Sequence, residues 1–290
     1  MNTRVLTAAP LVEQIKTNLV ERCLRLKEAG IIPSMSVVLV GNNPASLTYI
    51  RNKKKMCEEI GAQFDLLQLD ENISENDFLS KLNELNNDPK VHGIIIQLPV
   101  SDHLKKLNLP NLVSPEKDID GFHGLNTQKI YAGSTNLDTL MPCTPKGIIN
   151  LLNYYQLPVA GKNILVIGRS LIVGKPLSML LSNLNATVTL AHSQTKNLEF
   201  FTKNADIIVV AIGKANFVTE KHIDPKKQTI VIDVGMNTLN GKLTGDVEQE
   251  KVAPLVTGIS PVPGGVGPMT VISLIDNLII AAESKLKGIS

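Results

Sequence analysis

The stretch KNILVIGRSLIVGKPLSMLLSNL, from Lys162 to Leu184, leaves the chain few folds to choose from. Asn163 to Ile167 is a branched apolar run too short for an ordinary helix, which suits a strand buried on both faces of a parallel sheet. Gly168 ends that run. Pro176 is tolerated in the first turn of a helix, and Leu177, Leu180, Leu181 and Leu184 then recur at three- and four-residue spacing, so a helix is predicted from Gly174 or Lys175. A strand, a glycine turn and a helix result, with free N–H groups at the helix start that can hold a phosphate. Gly168, Ser170 and Gly174 form a degenerate version of the three-glycine dinucleotide fingerprint. Ala186 to Ala191, Ala205 to Ile212 with Gly213 after it, and Thr229 to Val234 with Gly235 after it read as further strands, which makes this a nucleotide-binding half-sheet.

Ahead of it the pattern is also α/β. Pro10 to Ala29 is predicted as an amphipathic helix closed by Gly30. Strands are expected at Ser36–Val40, Ala62–Leu69 and His92–Leu98, with helices at Ala45–Ile60 and Glu75–Leu85. That order predicts a parallel, right-handed first domain. Regular pattern weakens from Pro99 to Thr144, a length of loop that is usually functional or linking. Lys146 to Tyr155 reads as a helix crossing to the nucleotide half. Gly258 to Pro268 is a glycine–proline loop, and Met269 to Lys287 is a helix that Asp276 and Asn277 mark as packed in protein and not spanning a membrane.

Composition narrows the partner. The 290 residues suffice for two domains, and with no Trp and only 3% aromatic residues the core must be aliphatic. A net charge of +2 gives no ground for nucleic acid. The N-terminus lacks a signal-peptide core and no uncharged apolar run is long enough to span a bilayer, so no membrane role is expected. Cys23, Cys57 and Cys143 are odd in number and lack CxxC spacing, which suggests neither a disulfide framework nor a metal site. A cytoplasmic protein acting on a small molecule fits these constraints.

Within the predicted helix ASLTYIRNKKKMCEEI, Leu47, Tyr49, Ile50, Met56, Cys57 and Ile60 fall on one broad arc. Lys53 lies near the centre of that arc, Lys54 at its edge and Lys55 almost opposite. The run KKK can be a solvated face on which Lys53 snorkels; alternatively Lys53, one turn after Tyr49, sits where desolvation would lower its pKa for proton transfer. Gln97 ends GIIIQLP, and the strand–helix order brings it to the same sheet edge as the start of the Lys53 helix, where ligands of open α/β sheets collect. It is either an edge amide satisfied by a loop or part of a site. Asp118 and Asp120 in SPEKDIDGFHG are read either as turn formers or as binding carboxylates.

PASLTYIRNKKK, GIIIQLPV, SPEKDIDGFH, PCTPKGI, VIGRSLIVGKPLSMLL, HSQT, VIDVGMN, GDV and SPVPGGVGPMT, in this order and spacing, closely resemble the bifunctional methylenetetrahydrofolate dehydrogenase/methenyltetrahydrofolate cyclohydrolase family. The resemblance covers nearly the whole chain. Departures are small: Ser260 stands where Thr is common, Met236 where Ile is usual, and GDVEQE replaces a form ending GDVxF. The resemblance implies an N-terminal α/β folate-side domain (1–144, completed by a C-terminal helix, 269–290) and a Rossmann-like parallel-sheet domain for the dinucleotide (145–268), with a cleft between them. It implies a homodimer. Lys53 would be catalytic, Tyr49 would orient substrate, Gln97 would tune the lysine and Asp120 would anchor the pterin. Leu98, Pro99, Pro261, Gly264 and Gly265 would complete the folate site. The cofactor set would be Gly168, Arg169, Ser170, Gly174, His192, Ser193, Gly213, Gly235 and Met236.

NADP is the expected cofactor, because ATVTLAHSQT ends in His192 and Ser193 where an NAD site usually has an acid for the ribose 2′-hydroxyl. Oxidation of 5,10-methylenetetrahydrofolate and hydrolysis of the methenyl product to 10-formyltetrahydrofolate are the implied reactions. The competing readings are another two-domain nicotinamide dehydrogenase, of amino-acid or shikimate type, and a non-catalytic nucleotide-binding protein of the same fold.

Overall fold

A computed structural model describes residues 3–286. Lys287, the expected last residue of the final helix, and the rest of the segment assigned to 269–290 beyond it lie outside the described residues, as do residues 1 and 2 of the expected first domain. Along the chain come β1 (Arg4–Val5), α1 (Ala9–Glu28), β2 (Ser34–Val40), α2 (Pro44–Glu59), β3 (Gln63–Leu69), α3 (Glu75–Asn87), β4 (Gly93–Gln97), α4 (Gly124–Tyr131) and α5 (Cys143–Tyr154). There follow β5 (Asn163–Ile167), α6 (Gly174–Asn183), β6 (Thr187–Ala191), α7 (Leu198–Asn204), β7 (Ile207–Val210), β8 (Ile230–Asp233), β9 (Asn237–Leu239), β10 (Lys242–Thr244), α8 (Gln249–Val252), β11 (Gly258–Ile259) and α9 (Val266–Leu286).

The chain divides into two compact units. One comprises residues up to Glu13, Lys129–Thr135 and Thr144–Thr270; the other comprises Gln14–Gln128, Asn136–Cys143 and the chain from Val271 on. The first holds a six-stranded sheet in the order β1-β11-β8-β7-β5-β6, parallel at every pairing. Its core is aliphatic: Leu165, Ile167, Ile208, Val210 and Val231 are all buried in one cluster. From β5 the chain steps to β6 on one side and then returns to β7 on the other, so the order reverses at the carboxyl ends of β5 and β7. Open α/β sheets bind ligands at such reversals.

The second unit holds a parallel sheet in the order β3-β2-β4. Central β2 is buried at every residue, as a strand covered on both faces must be. Val38, Val40, Phe78 and Ile94 pack together in its core. Arg22 on α1 donates to Asp276 (2.7 Å) and to both carboxylate oxygens of Glu283 (2.8 and 2.7 Å), which fixes α9 against α1. Among the described residues α9 is the one helix with the length and hydropathy to cross a membrane, and 61% of its apolar window is buried inside the protein.

Several short elements depart from the sequence expectation. Arg4 and Val5 pair with Gly258 and Ile259, so the first residues, like Lys129–Thr135, cluster with the six-stranded sheet and not with most of 1–144. Helix α4 lies in the segment expected to be irregular, and β9 and β10 form a hairpin turned by Asn240 and Gly241, both at positive φ. Asn-Gly is a strong hairpin signal, and it stands in the sequence between two short alternating runs.

Candidate functional site

In the three-stranded unit, α2 follows directly on the carboxyl end of β2, and its phase separates the three lysines. Lys53 is half-buried and donates from Nζ to Gln97 Oε1 at 3.0 Å. Lys54 and Lys55 are exposed and lie 3.7 and 3.8 Å from Glu58 and Glu59, one turn on. Gln97 ends β4 and donates its amide N–H to Leu98 O at 2.9 Å, so its oxygen is oriented toward the amine. Ser46, at the start of α2, donates to the same Leu98 carbonyl at 3.4 Å. Tyr49, one turn before Lys53, is exposed, as are Leu98 and Pro99 beyond the strand end.

Asp118 and Asp120 divide the work of the SPEKDIDGFHG loop. The buried Asp118 carboxylate accepts from the N–H of Gly121 (3.1 Å), the N–H of His123 (2.7 Å) and Asn126 Nδ2 (2.9 Å), so it builds the turn. A bridge between Ile94 and Asp118 lays the loop beside β4. Asp120 is then presented half-buried, and desolvation pushes its carboxyl up to about 6, against the attraction of Lys53 and with help from the charge of Asp118. Buried Asn277 on α9 donates to the carbonyls of Ile119 and Met141, each at 2.8 Å, and Cys143 Sγ donates to Ile119 O at 3.3 Å. Asn277 therefore positions the Asp120 loop, a role that spacing along the chain does not reveal; its only sequence signal is an amide in an apolar helix.

In the six-stranded unit, Gly168 follows β5 at φ +119°, and a Cβ there would meet Ala211 O at 2.2 Å. The strand ends approach so closely at the reversal point that only glycine fits. Ser170 Oγ accepts from the N–H groups of Val173 (3.1 Å) and Gly174 (3.4 Å), which closes the turn onto the start of α6. Arg169 and Ser170 are exposed in that turn. Beyond β6, His192 is half-buried and Ser193 exposed, and the strand end carries no acid. Gly213 after β7 and Met236 after β8 are exposed at the same sheet edge, and Gly235 is buried beneath them. Glycine turns, a helix start and an exposed arginine suit a dinucleotide bearing a 2′-phosphate. Pro261, Gly264 and Gly265 also belong to this unit, in a tight turn whose Gly264 O accepts from Ala8 N at 2.8 Å.

No cluster of three or more potential metal ligands occurs among the described residues.

Sequence models of two domains match the chain: tetrahydrofolate dehydrogenase/cyclohydrolase catalytic domain over residues 6–120, and tetrahydrofolate dehydrogenase/cyclohydrolase NAD(P)-binding domain over residues 142–286. The bifunctional protein FolD of Ligilactobacillus salivarius is 45% identical over 289 residues, spanning 99% of this chain and 100% of the relative. The crystal structure of the bifunctional FolD methylenetetrahydrofolate dehydrogenase/cyclohydrolase from Campylobacter jejuni superposes with a TM-score of 0.93 at 41% identity, covering 98% of this chain and 99% of that one. The Trypanosoma brucei dehydrogenase–cyclohydrolase, solved with NADP and an inhibitor, gives a TM-score of 0.92 at 29% identity, with 99% of each chain covered.

Proposed function

The chain belongs to the tetrahydrofolate dehydrogenase/cyclohydrolase family, and from that premise we infer how its residues divide the work. The protein is a bifunctional enzyme that oxidises 5,10-methylenetetrahydrofolate to 5,10-methenyltetrahydrofolate with NADP and hydrolyses that product to 10-formyltetrahydrofolate. NADP, when bound, accepts the hydride that leaves the one-carbon bridge. Arg169 and Ser193 hold its 2′-phosphate, the start of α6 and the Gly168–Gly174 turn hold its pyrophosphate, and His192, Gly213, Gly235 and Met236 line the rest of its site.

On the folate side, Asp120 accepts the two adjacent N–H donors of the pterin, its 2-amino group and N3–H, through one carboxylate. Tyr49, Leu98 and Pro99 flank the ring. Lys53 is the catalytic residue of hydrolysis. As water adds to the methenyl carbon the amine takes its proton, and as the ring opens it returns a proton to the departing nitrogen, with one proton released overall. Gln97 orients the amine. The observation that carries this reading is the 3.0 Å hydrogen bond from Lys53 to Gln97 beside the charge of Asp120.

Hydride transfer needs alignment of two rings but no protein proton donor, so Lys53 separates the two reactions. Lys53→Met keeps the stem and packing of α2 while removing the amine. It is expected to lower hydrolysis by about a hundredfold or more while dehydrogenase activity persists and methenyltetrahydrofolate accumulates. Lys54→Met and Lys55→Met, which lose only surface ion pairs, should hydrolyse like wild type. Hydrolysis by Lys53→Met at the wild-type rate, or an equal loss in either control, would refute the assignment.

The enzyme acts, on this reading, as a cytoplasmic homodimer. Three free, buried cysteines suit a reducing compartment. The second copy would sit on the edge of β3, which among the described residues pairs only with β2. Leu66, 41% exposed, joins Pro44, Leu47, Ile50, Phe64 and the cations Arg51 and Lys54 around an open groove of about 400 Å³. An antiparallel β3 from a second copy would satisfy the strand edge and bury that groove on both partners at once.

A further inference from the structure

We propose that Asp246 is the positioning residue of the cofactor site: one buried carboxylate holds the turns after β7 and β8 in the arrangement that NADP binds. The inference rests on the assignment of Gly213 and Met236, in those turns, to the cofactor site.

Asp246 follows β10 in the GDV segment and is fully buried, so it cannot touch a ligand itself. Its Oδ2 accepts from the N–H groups of Ile212 (2.7 Å) and Gly213 (3.0 Å). Its Oδ1 accepts from Lys214 N (2.7 Å) and from Asn237 Nδ2 (2.9 Å). Three donors belong to the turn after β7, and the fourth, Asn237, opens β9 directly after the turn that follows β8. All four lone-pair sites of the carboxylate are thereby used, and every partner is a donor.

The backbone of Asp246 is fixed in turn by Asp233, which ends β8. Asp233 Oδ1 accepts from Asp246 N (2.8 Å) and Gly235 N (3.0 Å), and Oδ2 accepts from Val247 N (3.1 Å). Two glycines make room for this arrangement. A Cβ at Gly235 would meet the Asp246 carboxyl carbon at 2.3 Å, and a Cβ at Gly245 would fall 1.8 Å from Asp233 Oδ2. Asn216 N to Gly245 O (3.1 Å) and Val218 N to Asp246 O (3.0 Å) carry the attachment further along the loop that follows β7. So many bonds from two loops to one side chain exceed what closing a hairpin requires.

Asp246→Asn is the informative change. The amide keeps one acceptor oxygen, and in either orientation its NH₂ faces a backbone N–H, because Ile212 and Gly213 point at one position and Lys214 at the other. Calorimetric titration reads NADP affinity, and hydrolysis of methenyltetrahydrofolate, which consumes no NADP, reads the rest of the enzyme. NADP affinity should fall at least about tenfold while hydrolysis stays within about twofold of wild type. Unchanged NADP affinity overturns the proposal, and so does loss of hydrolysis in step with it, which would mark a general structural role. Should Asp246→Asn fail to fold, Asn237→Ala decides: removing one donor should weaken NADP about threefold and leave hydrolysis alone, and an unchanged affinity overturns the proposal. Met236→Trp tests the underlying assignment by crowding the turn from its exposed side. If it binds NADP like wild type, these turns are not at the cofactor site and the proposal falls with that reading. If it weakens NADP where Asp246→Asn does not, only the positioning role is lost.

Discussion

Asp120 carries its charge where water is scarce, and that has a measurable cost. A carboxyl moved from 3.8 to about 6 corresponds to about 3 kcal/mol of charging penalty, discounted to about 1–2 kcal/mol for a half-buried side chain. Below 3.8 the group is neutral whether the chain is folded or not, and nothing is lost; as pH rises through about 6 the folded protein must bear the charge, and that stability disappears. Asp120→Asn should therefore stabilise the ligand-free protein at pH 7.5 by about 1–2 kcal/mol, with the gain shrinking between pH 6 and 4. Urea unfolding at several pH values measures this. The same variant should bind folate poorly at every pH, whereas wild-type affinity falls as pH drops below about 6. Helical phase alone distinguished Lys53 from Lys54 and Lys55, because each residue turns the side chain by a fixed angle. It could not distinguish Asp118 from Asp120, since a turn has no periodicity and only the donors around Asp118 decide which carboxylate faces inward.

Elements with a strong period were legible in the sequence, and α6 begins at Gly174 as its proline and leucine spacing require. The pairs β1 and β11 were not, because two residues contain no alternation to read. Helix α9 was legible as a packed helix but not as a structural clamp. Asn277 and Asp276 interrupt its apolar run because one satisfies two buried carbonyls and the other takes Arg22. Asn277→Ala leaves the carbonyls of Ile119 and Met141 without that donor in a site closed to water, at a cost of about 2–4 kcal/mol. Thermal unfolding should show the loss directly, and the folate KM should rise more than that of NADP, because the loosened segment borders Asp120. Equal effects on both KM values would mean that the loop does not depend on Asn277.

At the scale of the whole molecule, the exposed β3 edge gives the assembly state a simple test. Leu66→Arg adds a third cation to Arg51 and Lys54 in the groove and should convert the proposed dimer to a monomer in sedimentation equilibrium, while each subunit keeps its fold by circular dichroism. A variant still dimeric at micromolar concentration would move the interface elsewhere. Likeness at 45% identity over 99% of the chain favours this reading over the rivals of another two-domain dehydrogenase or a non-catalytic relative. The short pairing of Arg4 and Val5 with Gly258 and Ile259 has a further consequence, for how the chain is made. Each unit is assembled from three separate segments of the chain, the six-stranded unit taking residues as late as Thr270 and the three-stranded unit needing those from Val271 on. A ribosome that has translated as far as Leu255 has therefore completed neither unit, even though the whole three-stranded sheet and every strand of the six-stranded sheet but β11 have been delivered. The six-stranded unit completes its last segment only at Thr270 and the three-stranded unit only beyond it, so neither half can shut until synthesis is nearly over.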